Sequence, residues 1–436
     1  MRITVIGTGH VGLVTCTTLS ALGHEVVGID SDAEKIASLQ KGIAPFHEPG
    51  LEDLMQRETS AGRLTFTTDP REAIDDAEVV FLCVGTPPKA SGEASLLAVE
   101  TAARLVAAHA TRLTVVVEKS TVPAGTAQRL KRVLELERSA HEFHVCSNPE
   151  FLREGHAIED NMEPERILVG AESEVAFDAL RRVYEPLTSK GVRLIETDIQ
   201  TAELAKHACN AFLAMKISYM NGIARLCERA GADVVQVAEV MGADSRIGRQ
   251  FLNAGLGYGG FCFPKDLAAF DSLARQLGYD FPLLREVARL NDEAIEVITD
   301  KIKQVLWNLE DKRIALWGLS FKPHTSDTRL APALRLAQKL IDEGAQVIGY
   351  DPQALANAKH DVPDIELAND PIEAARGAHC LVIATEWDDF LGVDLAKLKE
   401  LMVYPVIVDG RNLFEPAAMK EAGFSYYPTG RPAIVQ

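Results

Sequence analysis

The sequence has no excess of positive charge. Its 45 lysines and arginines stand against 63 aspartates and glutamates, a formal net charge of −18. That balance excludes the basic footprint by which proteins hold nucleic acid and the attraction of polybasic segments to anionic membranes. No long apolar run is free of charge, so no membrane-spanning helix is expected. The chain opens on a strand-like stretch, Met1 to Ile6, rather than on a charged, apolar and cleavable leader. Cysteine is sparse and unpatterned. The seven residues Cys16, Cys83, Cys146, Cys209, Cys227, Cys262 and Cys380 include no Cys-x-x-Cys pair, which argues against a zinc site and a disulfide framework. The histidines show no metal-ligand spacing either, so no metal is expected. Reduced thiols in a cytoplasmic protein are the expectation.

What is present is an ordinary globular composition spread over 436 residues, too many for one hydrophobic core. Strand-like runs at 3–6, 25–29, 79–84, 114–118 and 143–146 alternate with helical patterns, which implies a parallel sheet covered on both faces. The alternation returns at 313–317, 346–349, 380–384 and 405–408. Between the two lies a proline-free helical pattern from Thr201 to about Ala230, apolar over most of its circumference, and a second helical run from Leu283 to Leu309. The expected fold is α/β, with two doubly wound Rossmann-like domains joined by a central helical domain with a long spine helix. The expected boundaries are 1–196, 197–300 and 301–436.

Several residues sit where chemistry is done. Gly7-Thr8-Gly9-His10-Val11-Gly12 follows a strand and opens a helix. Its glycines suit a tight turn, close approach of a pyrophosphate, and helix–strand packing. Asp30 ends the next strand, where a carboxylate accepts from ribose hydroxyls and repels a 2′-phosphate, favouring NAD over NADP. The second unit has Gly318-Leu319-Ser320-Phe321-Lys322 instead. One glycine does not let a backbone reach a pyrophosphate, although Lys322 suits a phosphate as a point charge and equally suits a solvated surface.

The segment Gly255-Leu256-Gly257-Tyr258-Gly259-Gly260-Phe261-Cys262-Phe263-Pro264-Lys265-Asp266 is the most informative. Its glycines let backbone wrap a ligand. Pro264 suits the first position of a helix, which puts Cys262 at a helix N-terminus beside Lys265, a setting that lowers a thiol pKa. A thiolate there attacks an aldehyde, and Asp266 falls on the same face. Lys206 and Asn210, spaced i,i+4, suit an oxyanion or an ordinary polar helix edge. Glu150 and Glu154 show the same spacing and suit acid–base work or a solvated helix start. His207 reads as structural.

Taken together, GTGHVG at 7–12, GTPP at 85–88, STVPAGT at 120–126, NPEFLREG at 148–155, ELAKHACNAF at 203–212, GYGGFCFPKD at 257–266, FKPHTSDTR at 321–329 and DGRN at 409–412 give the chain its resemblance to the UDP-glucose/GDP-mannose dehydrogenase family over nearly its whole length. The resemblance implies NAD-dependent oxidation of a nucleotide sugar, UDP-glucose foremost, with GDP-mannose or a UDP-N-acetylhexosamine as the alternative. It implies Cys262 as nucleophile, Lys206 and Asn210 at the oxyanion, and Asp266, Glu150 and Thr121 for water and protons. NAD would be held by Gly7, Gly9, His10, Val11, Gly12, Asp30, Lys35, Thr86, Thr121, Glu154, Lys265 and Arg329. The UDP-sugar would meet Glu150, Phe151, Leu152, Arg153, Glu154, Lys206, Asn210, Phe251, Leu252, Asn253, Gly255, Gly257, Tyr258, Gly259, Phe321, Lys322 and Arg411. Arg246 would reach a neighbouring subunit's substrate, so a homodimer through the central helix is implied. The chain departs from the family at Phe261, where a small residue is usual, at Asn253, where many members carry lysine, at His324, where glycine is common, and at His10, which replaces tyrosine. Phe261 and Asn253 lie in the substrate loop and bear on sugar preference rather than on chemistry.

Overall fold

Strand β1 (Arg2–Ile6) is apolar or β-branched at four of its five positions and buried at the same four. It is an interior strand of an eight-stranded sheet with β2 (Glu25–Ile29), β3 (Leu64–Thr67), β4 (Val79–Leu82), β5 (Thr114–Glu118), β6 (Phe143–Ser147), β7 (Arg166–Ala171) and β8 (Arg193–Thr197). The order is β3-β2-β1-β4-β5-β6-β7-β8. All neighbours are parallel except β6 and β7, which run antiparallel with Cys146 opposite Ala171. Ile3 pairs with Val26 on one side and Val79 on the other, and the strand order reverses at β1/β4, where such sheets bind ligands at their carboxyl ends. Alternate residues of β1 feed two cores: Ile3 and Val5 face one, Ile6 the other. Both faces of the sheet are therefore covered.

This computed structural model describes residues 1–139 and 141–436. They fall into two compact units, Met1–Cys209 with Ala268–Tyr279, and Asn210–Leu267 with Asp280–Gln436. The second unit holds a six-stranded parallel sheet of β9 (Arg313–Trp317), β10 (Gln346–Tyr350), β11 (Glu366–Leu367), β12 (Cys380–Ile383), β13 (Val406–Asp409) and β14 (Ser425–Pro428), ordered β11-β10-β9-β12-β13-β14. It repeats the order of the first six strands. The fold is thus α/β with two Rossmann-like sheets and a helical region between them in the chain.

Five helices matter for the site: α1 (His10–Ala21), α2 (Thr126–Glu137), α3 (Ile199–Ala230), α4 (Cys262–Gln276) and α5 (Pro282–Leu306). Helix α3 is one unbroken helix of 32 residues, as its proline-free pattern predicts. Its apolar stripe is less buried than its composition suggests. Leu204, Phe212, Tyr219 and Leu226 lie 41%, 57%, 52% and 60% exposed on the chain. No described helix is long and apolar enough to cross a membrane.

Candidate active site

The glycine loop divides its labour. Gly7 has φ 93° and carries β1 into the turn. A methyl on Gly12 would overlap the Gly7 carbonyl, so α1 packs only without one; a methyl on Gly9 would meet nothing within 4 Å. Gly7 and Gly12 are therefore demanded by the protein, while Gly9 leaves room for an approaching ligand. The N-terminus of α1 has no side-chain cap and no acid in its first turn, which leaves its amides for an anion. Asp30 accepts from the Thr8 amide at 2.9 Å, the Thr8 hydroxyl at 3.0 Å and the Lys35 ammonium at 2.9 Å. Burial pushes its pKa up, but the amides of Thr8 and Asp32, Lys35 and the Thr8 hydroxyl outweigh that and hold it below the usual value. These residues fit a dinucleotide. His10 stacks on Phe46 at 4.4 Å, and its Nε2 lies 3.2 Å from the buried Glu48 carboxylate.

At the carboxyl ends of β5 and β6 the first unit gathers charge. Lys206, on α3, lies 3.0 Å from Glu150 with both side chains buried. The other Glu150 oxygen accepts from the Leu152 amide at 2.8 Å. The Phe151 ring lies 5.2 Å from the Lys206 ammonium and 4.2 Å from the Arg166 guanidinium. Arg153 is turned to Asp160, and Glu154 is buried. Thr86 Oγ1 donates to the Thr121 carbonyl at 3.0 Å.

Sequence reasoning missed Lys119 here. It is buried, its Nζ 3.2 Å from Asn148 Oδ1. Burial lowers its pKa, Cys83 and Glu150 oppose that, and Lys206 adds to it. It also missed Glu203, whose buried carboxylate accepts from the amides of Gly125 and Ala127. A strand-end lysine and a helical glutamate look like surface residues unless their distant partners are known.

In the second unit the segment from Phe251 is locked by backbone and side-chain contacts. Asn221 accepts from the Gly255 amide at 2.8 Å, and Asn291 on α5 grips Tyr258 at both amide (2.7 Å) and carbonyl (3.1 Å). Arg411 donates to the Gly257 carbonyl at 3.2 Å. Three of its glycines are required by the protein's own packing. An added methyl would lie 2.6 Å from the Gly410 oxygen at Gly255, 2.6 Å from Asn291 at Gly257, and 2.5 Å from the Leu330 oxygen at Gly259. Leu252 is buried, and Asn253 is exposed.

Cys262 is the first residue of α4 and half-buried; Pro264 is the third rather than the first. The thiol thus lies at the positive end of a helix. Lys265 holds its ammonium 2.6 Å from one Asp266 oxygen, and the second Asp266 oxygen accepts from Asn210 Nδ2 at 2.6 Å. Phe261 carries the Lys265 ammonium 5.6 Å from its ring and the Arg329 guanidinium at 4.8 Å. Three further expected site residues have protein contacts of their own. Lys322 lies over the Phe321 ring, Arg329 also pairs with Asp327, and Arg246 is 87% exposed and pairs with Asp244.

The second Rossmann sheet repeats the first at its ligand end and then closes it. Gly318 (φ 85°) donates to the Tyr350 carbonyl at 2.8 Å as Gly7 does to that of Ile29 at 2.8 Å. Asp351 then accepts from the amides of Leu319 and Ser320, the Ser320 hydroxyl and the Trp387 indole, with no exposed surface left. It has no capacity for a ribose. Asp30, only partly buried, keeps some. Of the seven thiols, Cys16, Cys83, Cys146, Cys227 and Cys380 are buried, while Cys209 and Cys262 are half-buried. Burial pushes Cys83 and Cys380 up to about 12.

Three family models match the chain in order. These are the NAD binding domain of the UDP-glucose/GDP-mannose dehydrogenase family at residues 1–188, its central domain at 200–293, and its UDP binding domain at 315–416. UDP-glucose 6-dehydrogenase YwqF of Bacillus subtilis is 44% identical over 437 residues, covering 100% of this chain and 99% of the relative. Among solved structures, a UDP-glucose dehydrogenase from the archaeon Pyrobaculum islandicum superposes with a TM-score of 0.92 at 36% identity, over 99% of this chain and 98% of that one. A UDP-D-ManNAc dehydrogenase from Pyrococcus horikoshii gives a TM-score of 0.86 at 27% identity, over 99% of both chains.

Proposed function

The chain belongs to the UDP-glucose/GDP-mannose dehydrogenase family, and from that premise we propose that it oxidises C6 of UDP-glucose twice, from alcohol to carboxylate. Its cofactor is NAD. The observation that carries the two-step reading is the first turn of α4, where a half-buried cysteine at a helix N-terminus stands four residues before an aspartate clamped by Lys265 and Asn210. UDP-glucose is favoured over other sugars by the full-length likeness at 44% identity to a UDP-glucose 6-dehydrogenase, against 27% to a UDP-D-ManNAc dehydrogenase.

In this reading residues 1–196 hold NAD, 197–300 carry the helix and the cysteine loop, and 301–436 hold the UDP group. Gly7, Gly9, His10, Val11, Gly12 and the start of α1 take the pyrophosphate; Asp30 and Lys35 take a ribose; Thr86, Thr121, Glu154, Lys265 and Arg329 complete the cofactor's contacts. Bound NAD supplies the hydride acceptor for each oxidation. The Cys262 thiolate adds to the C6 aldehyde, forming a C–S bond as the carbonyl electron pair moves to oxygen. Lys206 and Asn210 stabilise that oxyanion, each already held by a carboxylate, Glu150 and Asp266 respectively. Loss of the second hydride leaves a thioester. Water, deprotonated with help from Asp266, Glu150 or Thr121, attacks it, and the thiolate leaves. The balance is one water consumed and two hydrides delivered. The residues Glu150 to Glu154, Phe251 to Asn253, Gly255 to Gly259, Phe321, Lys322 and Arg411 position the nucleotide sugar, with Arg246 serving a neighbouring chain. The active form is a homodimer on the exposed stripe of α3 and works in the cytoplasm, where its seven thiols stay reduced.

The test is NADH formed per sugar at limiting UDP-glucose and excess NAD. Two are expected, and Cys262→Ser should lose on the order of 10³-fold in turnover or more while still binding NAD. One NADH per sugar would mean an alcohol–carbonyl enzyme of the same architecture. None, with NAD bound, would redirect the substrate to an N-acetylated or GDP-linked sugar.

A further inference from the structure

Helix α2 begins without a cap of its own. Its N-cap, Gly125, is left-handed (φ 88°) and offers no side-chain acceptor to the amides of the first turn. Unmet amides at a buried helix start are costly. Glu203 supplies the acceptor from 78 positions away. The Gly125 amide donates to its Oε2 at 2.6 Å and the Ala127 amide to its Oε1 at 2.8 Å. One turn further along α3, His207 Nε2–H donates to the Val122 carbonyl at 2.9 Å, its ring facing Phe270 at 5.9 Å. Both side chains are buried, at 2% and 1% exposure. The opposite edge of the same loop is held by Thr86 on the Thr121 carbonyl and by Ser120 on the Val84 carbonyl at 2.8 Å. Lys206 lies between the two gripping residues in the chain, so the turn that grips the loop is the turn that carries the ammonium.

We propose that Glu203 and His207 are positioning residues that lock the Thr121–Gly125 loop, at the carboxyl end of β5, to the turn of α3 carrying Lys206, so that Thr121 and Lys206 meet their ligands as one rigid piece. This rests on the reading that both act on cofactor and substrate. Neither residue touches the reacting atoms; both act through the loop they hold.

The test combines steady-state kinetics of the full chain on UDP-glucose and NAD with amide hydrogen exchange over residues 120–127. The variants are Glu203→Ala, Glu203→Gln, His207→Phe and His207→Gln. The Ala and Phe variants should lose kcat on the order of 100-fold with KM for UDP-glucose changed by less than about threefold. His207→Gln keeps a donor at the same reach and should recover most of the loss, while Glu203→Gln keeps only one of the two acceptor oxygens and should recover part of it. The Gly125 and Ala127 amides should exchange on the order of tenfold faster in Glu203→Ala. Unchanged exchange, or unchanged kcat with faster exchange, overturns the positioning role. A wild-type chain that makes no NADH from UDP-glucose sinks the substrate reading instead, and the exchange result then still decides whether Glu203 holds the loop.

Discussion

A carboxylate enclosed by protein favours its protonated form, and Glu203 shows the competition plainly. Burial pushes it up to about 7, against the opposing pull of the amides of Ala127, Gly125 and Thr126. The unfolded chain would release that proton near the ordinary glutamate value of 4.5. Folding therefore gains from the extra proton below about pH 4.5, and the gain is lost as the pH rises through about 7. Relative to Glu203→Gln, the wild-type unfolding free energy should decline across that window by on the order of 3 kcal/mol. Parallel pH profiles for the two proteins in denaturant titrations would refute this. Asp30 shows the opposite outcome, because an ammonium and a hydroxyl join its amides and hold the carboxylate down.

At the scale of elements, α3 is the feature on which the dimer prediction depends. Phe212, Tyr219 and Leu226 recur at every seventh position and are each more than half exposed, a seam of the kind that pairs helices. Replacing Tyr219 and Leu226 by aspartate should yield a monomer in sedimentation; a wild-type chain that is itself monomeric would remove the dimer from the proposal. This helix was legible from its residues, as were the strands that are continuously apolar. Strands β3, β7, β8, β11 and β14 were not. Strand β11 is two residues long, β14 ends in proline, and β8 (Arg-Leu-Ile-Glu-Thr) has no buried residue, so these three lack the continuous apolar run that marks a central strand, whereas β7 (Arg-Ile-Leu-Val-Gly-Ala) carries a buried run that sequence reasoning missed. Among site residues, the glycine loop, Cys262, Asp266 and Lys206 announce themselves by local spacing. Glu203, Lys119, Asn221 and Asn291 do not, because their partners lie tens of positions away and only folding brings them together.

Across the whole molecule, one strand order is used twice and given different work. Both sheets reverse at their first strand, and both place an aspartate after the second. In one unit that aspartate remains partly accessible; in the other it is spent on Ser320, Leu319 and Trp387. The thiols are distributed just as unevenly, and this makes the protein its own analytical standard. With five sulfurs sealed inside the two units and only Cys209 and Cys262 within reach of solvent, iodoacetamide at mild alkalinity should be taken up by at most two groups in the native chain and by all seven after denaturation. Loss of activity should track the one equivalent that Cys262→Ser no longer consumes. Alkylation thereby becomes an active-site titration: moles of label at that sulfur count the competent chains in a preparation, independently of any rate.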